Sequence, residues 1–548
     1  MRNKENSLRP LWVFLQMYNF ILLFIALGLN GCDNQKNDLS TNYSIQNAIS
    51  SDSLPPADVA GSFSESTPLN FDSTEINNFL GQHPDFSLIK KELLKFYSTR
   101  NYSYAWFEKR GLIEQANILY NRILQLIDHG FQYDAPYLNK YKSIMEDPRG
   151  YKITETELMI TSQYLYYAKS MLAGIPENDS RSTAWYIPRK KIEYTQLLNT
   201  LLGGETNEIS KAVYPQYYLL LNMLKKYSEI EKNMEWETIK APKNSLQLND
   251  SSEIIADVRK NLILSGDIPK DNGGNYYDSA LQQGVMQYQE RHGIKPDGII
   301  GKTFIKEMNV PISERIKLIL LNMERCRWLP NETERDHIIV NIPQFTLYAF
   351  NKDSLIFKCK VVVGKETNKT MIFKGDMKYV VFSPYWNVPE SIIKKEILPA
   401  MRRNPNYIEE NNMEWNGGKI RQLPGPDNAL GVVKFLFPNI FNIYLHDTPS
   451  KRLFGEEKRT FSHGCIRISE PMSMTKFLLR NDTSWTDQKM IDAMYSGREK
   501  FVMLKKTIPV YIVYFTAFVD ERGILNFRKD IYLRDKVLKE MIFSENLK

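Results

Sequence analysis

The apolar residues of this chain change their period once, and that change dictates where helix must give way to sheet. From Phe86 to Trp236 they recur at intervals of three and four. Ile89, Leu93, Leu94 and Tyr97 do so, then Leu119, Ile123, Leu126 and Ile127, then Leu158, Thr161, Tyr164, Leu165 and Ala168. Such spacing lays one apolar stripe along a helix. A further helix runs through Ile316, Ile319, Leu320 and Met323 to Trp328. From His337 the pattern alternates. Ile338, Val340 and Ile342 share a side, Asn351-Lys352-Asp353 makes a turn, and Phe357 to Val363 is β-branched and apolar, as strands require. Tyr379 to Phe382, Val432 to Leu445, Val510 to Val519 and Ile524 to Phe527 extend the β pattern. The chain therefore reads as a multidomain α+β protein, helical first and mainly β afterwards.

Reactive side chains are scarce and concentrated in the β part. The chain holds six histidines and four cysteines, yet His446 precedes Cys465 by only nineteen positions, and His463 lies between them. A free thiol with a pKa near ~8.5 is mostly protonated at neutral pH, while the thiolate is the nucleophile. A histidine in reach can take the proton and return it to a leaving amine. Cys465 and His446 are thus the candidate nucleophile and base of an acyl transfer. Three other readings stay open: an inert core pair, a zinc site of His446, His463 and Cys465, and redox use of Cys465. The zinc reading lacks a Cys-x-x-Cys or His-x-x-Glu-His spacing, and no second cysteine lies near Cys465, so neither metal nor cofactor is expected.

His446-Asp447-Thr448-Pro449, twelve residues, and then Ser462-His463-Gly464-Cys465-Ile466-Arg467 resembles the signature of the L,D-transpeptidases, whose catalytic domain is of the YkuD type. The resemblance implies an enzyme that cross-links or trims peptidoglycan stem peptides through a cysteine acyl-enzyme, with a tetrapeptide stem as donor. Carried over by position, Cys465 is the nucleophile and His446 the base. Arg467, Ser462, His463 and Gly464 fill the remaining motif positions and, with Tyr444 and Trp386, are the candidates for binding substrate. Arg467 could bind a substrate carboxylate or brace the turn. With water as acceptor the same chemistry is an L,D-carboxypeptidase. A non-catalytic wall-binding lipoprotein is the competing class.

The N-terminus bears on location. Arg2, Lys4 and Arg9 precede the apolar run Leu11 to Leu29, followed by Asn30-Gly31-Cys32, the parts of a secretory signal. The break resembles a bacterial lipoprotein processing site, which makes Cys32 the candidate lipidated residue. An uncleaved anchor is the alternative, since about 20 apolar residues span a bilayer. Both place the bulk of the chain on the periplasmic side of a bacterial envelope membrane. With Cys32 so assigned, three cysteines remain, and no Cys326–Cys359 disulfide is expected. The formal charge of +7 comes without a basic stripe, so no nucleic-acid partner is expected.

The expected organisation is a signal peptide at 1–31 and a flexible tether at 32–75. The tether is rich in Asn, Ser, Thr, Asp and Pro, and a coil of ~40 residues spans roughly 35 Å. A helical scaffold follows at 76–245. Residues 246–310 resemble a peptidoglycan-binding module: two helices (Ile254, Val258, Leu262; Leu281, Val285, Tyr288), an Asp297-Gly298 turn and a third helix. A plain three-helix bundle stays open there, and His292 reads as structural. A connecting helix at 311–334 leads to the catalytic domain at 335–505. Its insertion at about 386–422, helical from Ser391 to Arg402, is placed by the resemblance as a lid. The extension 506–548 is expected to pack on the scaffold. The implied partners are stem peptides, glycan and, through the N-terminus, a membrane.

Overall fold

Helix α1 (Ile153–Ala173) organises the first helical region. It is buried on nearly all sides between Thr156 and Leu165, as a helix enclosed by others must be, and it stops at Gly174, where φ is +65°. The computed structural model describes residues 70–108, 111–128, 135–202, 213–269, 273–331 and 335–543. The signal peptide, Cys32 and most of the tether lie outside the described residues. At the near end of the chain, Asn70 bridges to Ser103 and Phe71 is buried, so the packed structure includes residues ahead of the expected start at 76. Inside α1, Glu157 is fully buried and accepts hydrogen bonds from Tyr97 Oη (2.8 Å), Ala105 N–H (2.7 Å) and Trp106 N–H (3.0 Å). These three donors hold a carboxyl group that burial pushes up to about 7.

After α2 (Gln216–Asn233) comes a three-helix unit: α3 (Ile254–Ser265), α4 (Ser279–Arg291) and α5 (Lys302–Met308). Asp278 caps α4, its side chain accepting from Leu281 N–H at 2.8 Å. The Asp297-Gly298 turn is clamped by Gln289, which bonds Asp297 and Gly298 N–H at 2.9 Å each. Val258, Leu262, Leu281, Val285, Tyr288 and Phe304 form a core separate from the main one. His292 is buried there, its Nδ1 donating to Tyr288 O at 2.8 Å.

Helix α6 (Ile312–Trp328) packs on α2 and leads into the β domain. Its nine strands are β1 (His337–Asn341), β2 (Thr346–Asn351), β3 (Ser354–Gly364), β4 (Lys374–Phe382), β5 (Val433–Leu436), β6 (Leu445–His446), β7 (Thr460–Ser462), β8 (Ile466–Ile468) and β9 (Lys500–Val513). The order is β7-β3-β8-β6-β5-β4-β9-β1-β2, and β2 also pairs with β3, which closes the ring. Closure leaves few free edges. The insertion between β4 and β5 holds short helical segments from Glu390 to Glu410 and strands Trp386–Asn387, Met413–Asn416 and Lys419–Gln422, around a small core of Val388, Ile392, Ile397 and Ile420.

Three expectations need correction. The boundary at 505/506 falls inside β9, which lies between β4 and β1 in the middle of the sheet; residues 506–513 belong to the β domain. A register shift between Met503 and Ile508 exposes Lys505, Lys506 and Thr507, so polar residues interrupt the apolar pattern of the strand at the expected boundary. Val510 to Val519 is two strands, β9 and Ala517–Val519. The segment before His446 is not strand throughout either: Asn442 has φ +53°, and β6 begins only at Leu445. Beyond β9, α7 (Arg534–Phe543) is joined to α6 by a buried Arg325–Asp535 ion pair of 2.6 Å. Cys326, Cys359 and Cys465 are all free. Among the described residues no helix is long and apolar enough to cross a membrane.

Candidate active site

Strands β6 and β8 pair in parallel, with Leu445 opposite Ile466 and His446 opposite Arg467, and Ile466 N–H donates to Tyr444 O at 3.1 Å. Side chains alternate along a strand, so Tyr444 and His446 share one face with Cys465 and Arg467. On the other side of β6, antiparallel β5 sets Lys434 opposite His446. One row across three strands therefore reads Lys434, His446, Arg467: an imidazole between two cations.

The tautomer of His446 is set by the backbone. Its Nδ1 lies 2.5 Å from Asp447 O, so Nδ1 carries the proton and Nε2 is left as an acceptor. Asp447 is itself fixed. Its N–H donates to Val433 O (3.0 Å), and its carboxylate accepts from Val432 N–H (3.1 Å) and pairs with Lys451. Gly431 is required beside it, because a Cβ there would sit 2.3 Å from Asp447 Oδ2 and φ is +61°. Burial first, then the Arg467 charge and that of Lys434, push the His446 pKa down to about 3, against the bond to Asp447. At neutral pH the ring is an uncharged base.

Cys465 is partly buried, and its Sγ donates to Asn442 O at 3.7 Å. Burial pushes the thiol up, while donors on Tyr444, both its backbone N–H and its side chain, and the charge of Arg467 favour the thiolate. Both shifts point to a resting thiol and neutral imidazole rather than an ion pair. The turn before Cys465 is held from several sides. Ser462 Oγ accepts from Gly464 N–H (3.1 Å) and donates to Cys465 O. Thr370 Oγ1 donates to Gly464 O (2.9 Å) and accepts from Gly364 N–H (2.9 Å). Tyr532 Oη donates to Gly364 O (2.6 Å) from beyond β9. Gly464 has φ +120°, a conformation L side chains rarely adopt. Its N–H is taken by Ser462 Oγ and so is not free for an oxyanion. Among the described residues Cys465 N–H meets no acceptor, so it is available to an oxyanion.

Of the residues singled out from sequence, Cys465, His446, Tyr444, Arg467, Ser462 and Gly464 come together. His463 is on the same turn but points outward, its Nε2 2.9 Å from Glu396 Oε1 of the insertion. Trp386 pairs with Gln422 and packs in the insertion's own core. Burial lowers the pKa of Arg467, and its Nε is buried without a partner. No group of three or more metal-ligand side chains occurs among the described residues. Lys434, Thr370, Asn442 and Glu396 were missed. Only Lys434 left a signal, a lone lysine in the apolar run Val432 to Leu436.

Comparison with known families matches "L,D-transpeptidase catalytic domain" (YkuD) to residues 335–483, "Scaffold domain" to 91–224 and "Putative peptidoglycan binding domain" to 251–308. A curated protein of Haemophilus influenzae named "Putative L,D-transpeptidase" is 30% identical over 253 residues, which are 42% of this chain and 51% of that protein. The chain thus spans about half the length of this curated relative. Among solved structures, an L,D-transpeptidase from Mycobacterium smegmatis matches with 13% identity over 33% of this chain and 58% of that one, at a TM-score of 0.19. One from Xylanimonas cellulosilytica matches with 11% identity over 51% of this chain and 100% of that one, at 0.18. TM-scores this low carry no argument.

Proposed function

Because the chain carries a YkuD L,D-transpeptidase catalytic domain at residues 335–483, with scaffold and peptidoglycan-binding domains ahead of it, we propose that it is a peptidoglycan L,D-transpeptidase working through a cysteine acyl-enzyme. The observation that carries the reading is the base. His446 is neutral, tautomerically fixed with Nε2 free, and on the same sheet face as Cys465.

In the proposed cycle the Cys465 thiol passes its proton to His446 Nε2 as sulfur attacks the carbonyl of stem residue three. The carbonyl oxygen becomes the oxyanion, facing Cys465 N–H. Collapse breaks the bond to D-Ala, whose amine takes the proton back from the imidazolium. Lys434 and Arg467 beside that imidazolium make it a strong acid and favour the hand-off. An amine from a second stem then attacks the thioester, gives its proton to His446 and leaves a cross-link with the thiol restored. Of the two roles open for Arg467, the unpartnered Nε favours binding a substrate carboxylate. The three-helix module would hold glycan, and Cys32 would carry a lipid on the periplasmic side.

Mass spectrometry of muropeptides tests the reading, after purified protein meets tetrapeptide stems with a free side-chain amine. Cross-linked dimers are expected. Tripeptide alone would mean that water is the acceptor, a carboxypeptidase. An unchanged mixture would leave the non-catalytic wall-binding lipoprotein.

A further inference from the structure

The loop whose carbonyl accepts the hydrogen bond of the Cys465 thiol is in contact with the scaffold region. Trp185 bridges in parallel to Ile372 of the catalytic domain, and Tyr186 N–H donates to Ile372 O at 2.9 Å. The next residue, Phe373, has its ring 5.0 Å from that of Phe441, and the Tyr186 ring lies 5.4 Å from Phe441 as well. Phe441 precedes Asn442, whose carbonyl accepts the thiol.

Asn439 makes this loop stiff. Its Nδ2 donates to Phe437 O (2.6 Å) and Ile443 O (2.7 Å), and its Oδ1 accepts from Phe441 N–H (3.0 Å) and Ile443 N–H (3.2 Å). A displacement of Phe441 is therefore carried to Asn442. Asn442 itself holds φ +53°, a left-handed conformation that Asn tolerates and a β-branched residue does not. That conformation aims its C=O at Sγ.

We infer that Tyr186, acting through Phe441 and the carbonyl of Asn442, is a positioning residue for the Cys465 thiol. A carbonyl can accept only from the protonated sulfur and so favours the thiol, whereas donors on Tyr444, two residues further on, favour the thiolate. The balance depends on where the loop sits, and the scaffold region sets that place. The inference deepens the acyl-transfer reading and rests on Cys465 as its nucleophile, but its test needs no substrate, so the two can fail separately.

The test is the pH dependence of iodoacetamide alkylation at Cys465 in the full chain carrying Cys32→Ser, with the site located by peptide mass. Cys326 and Cys359 do not compete: both are buried and pushed up, Cys359 to about 12. Tyr186→Ala should lower the midpoint by half a unit to one unit, roughly a threefold to tenfold faster reaction below it. Tyr186→Phe, which keeps the ring, should retain the wild-type profile. So should Asn442→Gly, which keeps the conformation and the carbonyl. Asn442→Val should behave like Tyr186→Ala and carries the test if that variant does not fold. A wild-type profile in both Tyr186→Ala and Asn442→Val overturns the inference, as does an equal shift in Tyr186→Phe.

Discussion

Thr370→Val removes one hydroxyl and almost no volume, and it strikes the turn that carries Cys465. Thr370 is fully buried, and its Oγ1 serves Gly464 O and Gly364 N–H at 2.9 Å each. Valine leaves a buried carbonyl and a buried N–H unpaired, each at a cost of about 1–3 kcal/mol. The native fold should lose roughly 2–6 kcal/mol unless the turn moves to find water. A turn that moves displaces Gly464 and with it the Cys465 N–H. One tenfold rate loss corresponds to about 1.4 kcal/mol, so relaxation that recovers even the lower bound should cost kcat/KM ~10-fold or more. Thr370→Ser keeps the hydroxyl and should retain most activity. The assays are tetrapeptide turnover and thermal unfolding on the same preparations. A valine variant within about twofold of wild type in kcat/KM and unchanged in Tm would refute the role given to Thr370.

Lys434→Met should raise the His446 pKa by up to about one unit, because Lys434 is the smallest of the three influences that lower it. An imidazole NMR titration reads this directly, and Lys434→Arg should leave the value in place. Glu396→Gln removes a solvent-exposed contact to His463, so turnover should change only a few-fold; a hundredfold loss would mean that the insertion controls the turn. Glu157, raised from 4.5 to about 7, binds its proton more tightly folded than unfolded. Its contribution is present below pH 4.5 and is lost as pH rises through 7, a swing of about 3 kcal/mol. Urea midpoints of the scaffold region should fall over that window, and Glu157→Gln should flatten the fall.

Much of the fold could be read from periodicity, because helix and strand place apolar residues at different intervals. The break between Trp328 and His337 and the three helices of the module are local consequences of composition. The pairings of β3 with β8 and of β1 with β9 that complete the ring, and the parallel pairing of β6 with β8, are not, since they join segments that are separate in the chain. The site divides the same way. Cys465 and His446 stand out as scarce reactive groups. Lys434 acts through register with His446, twelve residues on, and Thr370 and Tyr532 act through hydroxyls that reach the turn from distant segments. Asn442 contributes a backbone carbonyl, which no side-chain pattern reports.

The central claim is that Cys465 carries the acyl group and His446 moves its proton. Intact-protein mass spectrometry after mixing with tetrapeptide stem measures it most directly, with the adduct mapped to a peptide. The account predicts a thioester-sized adduct on the Cys465 peptide, none in Cys465→Ala, and formation at least ~10²-fold slower in His446→Ala. The double variant should be no worse than Cys465→Ala alone. Product formation that survives Cys465→Ala, or an adduct on another residue, would contradict it.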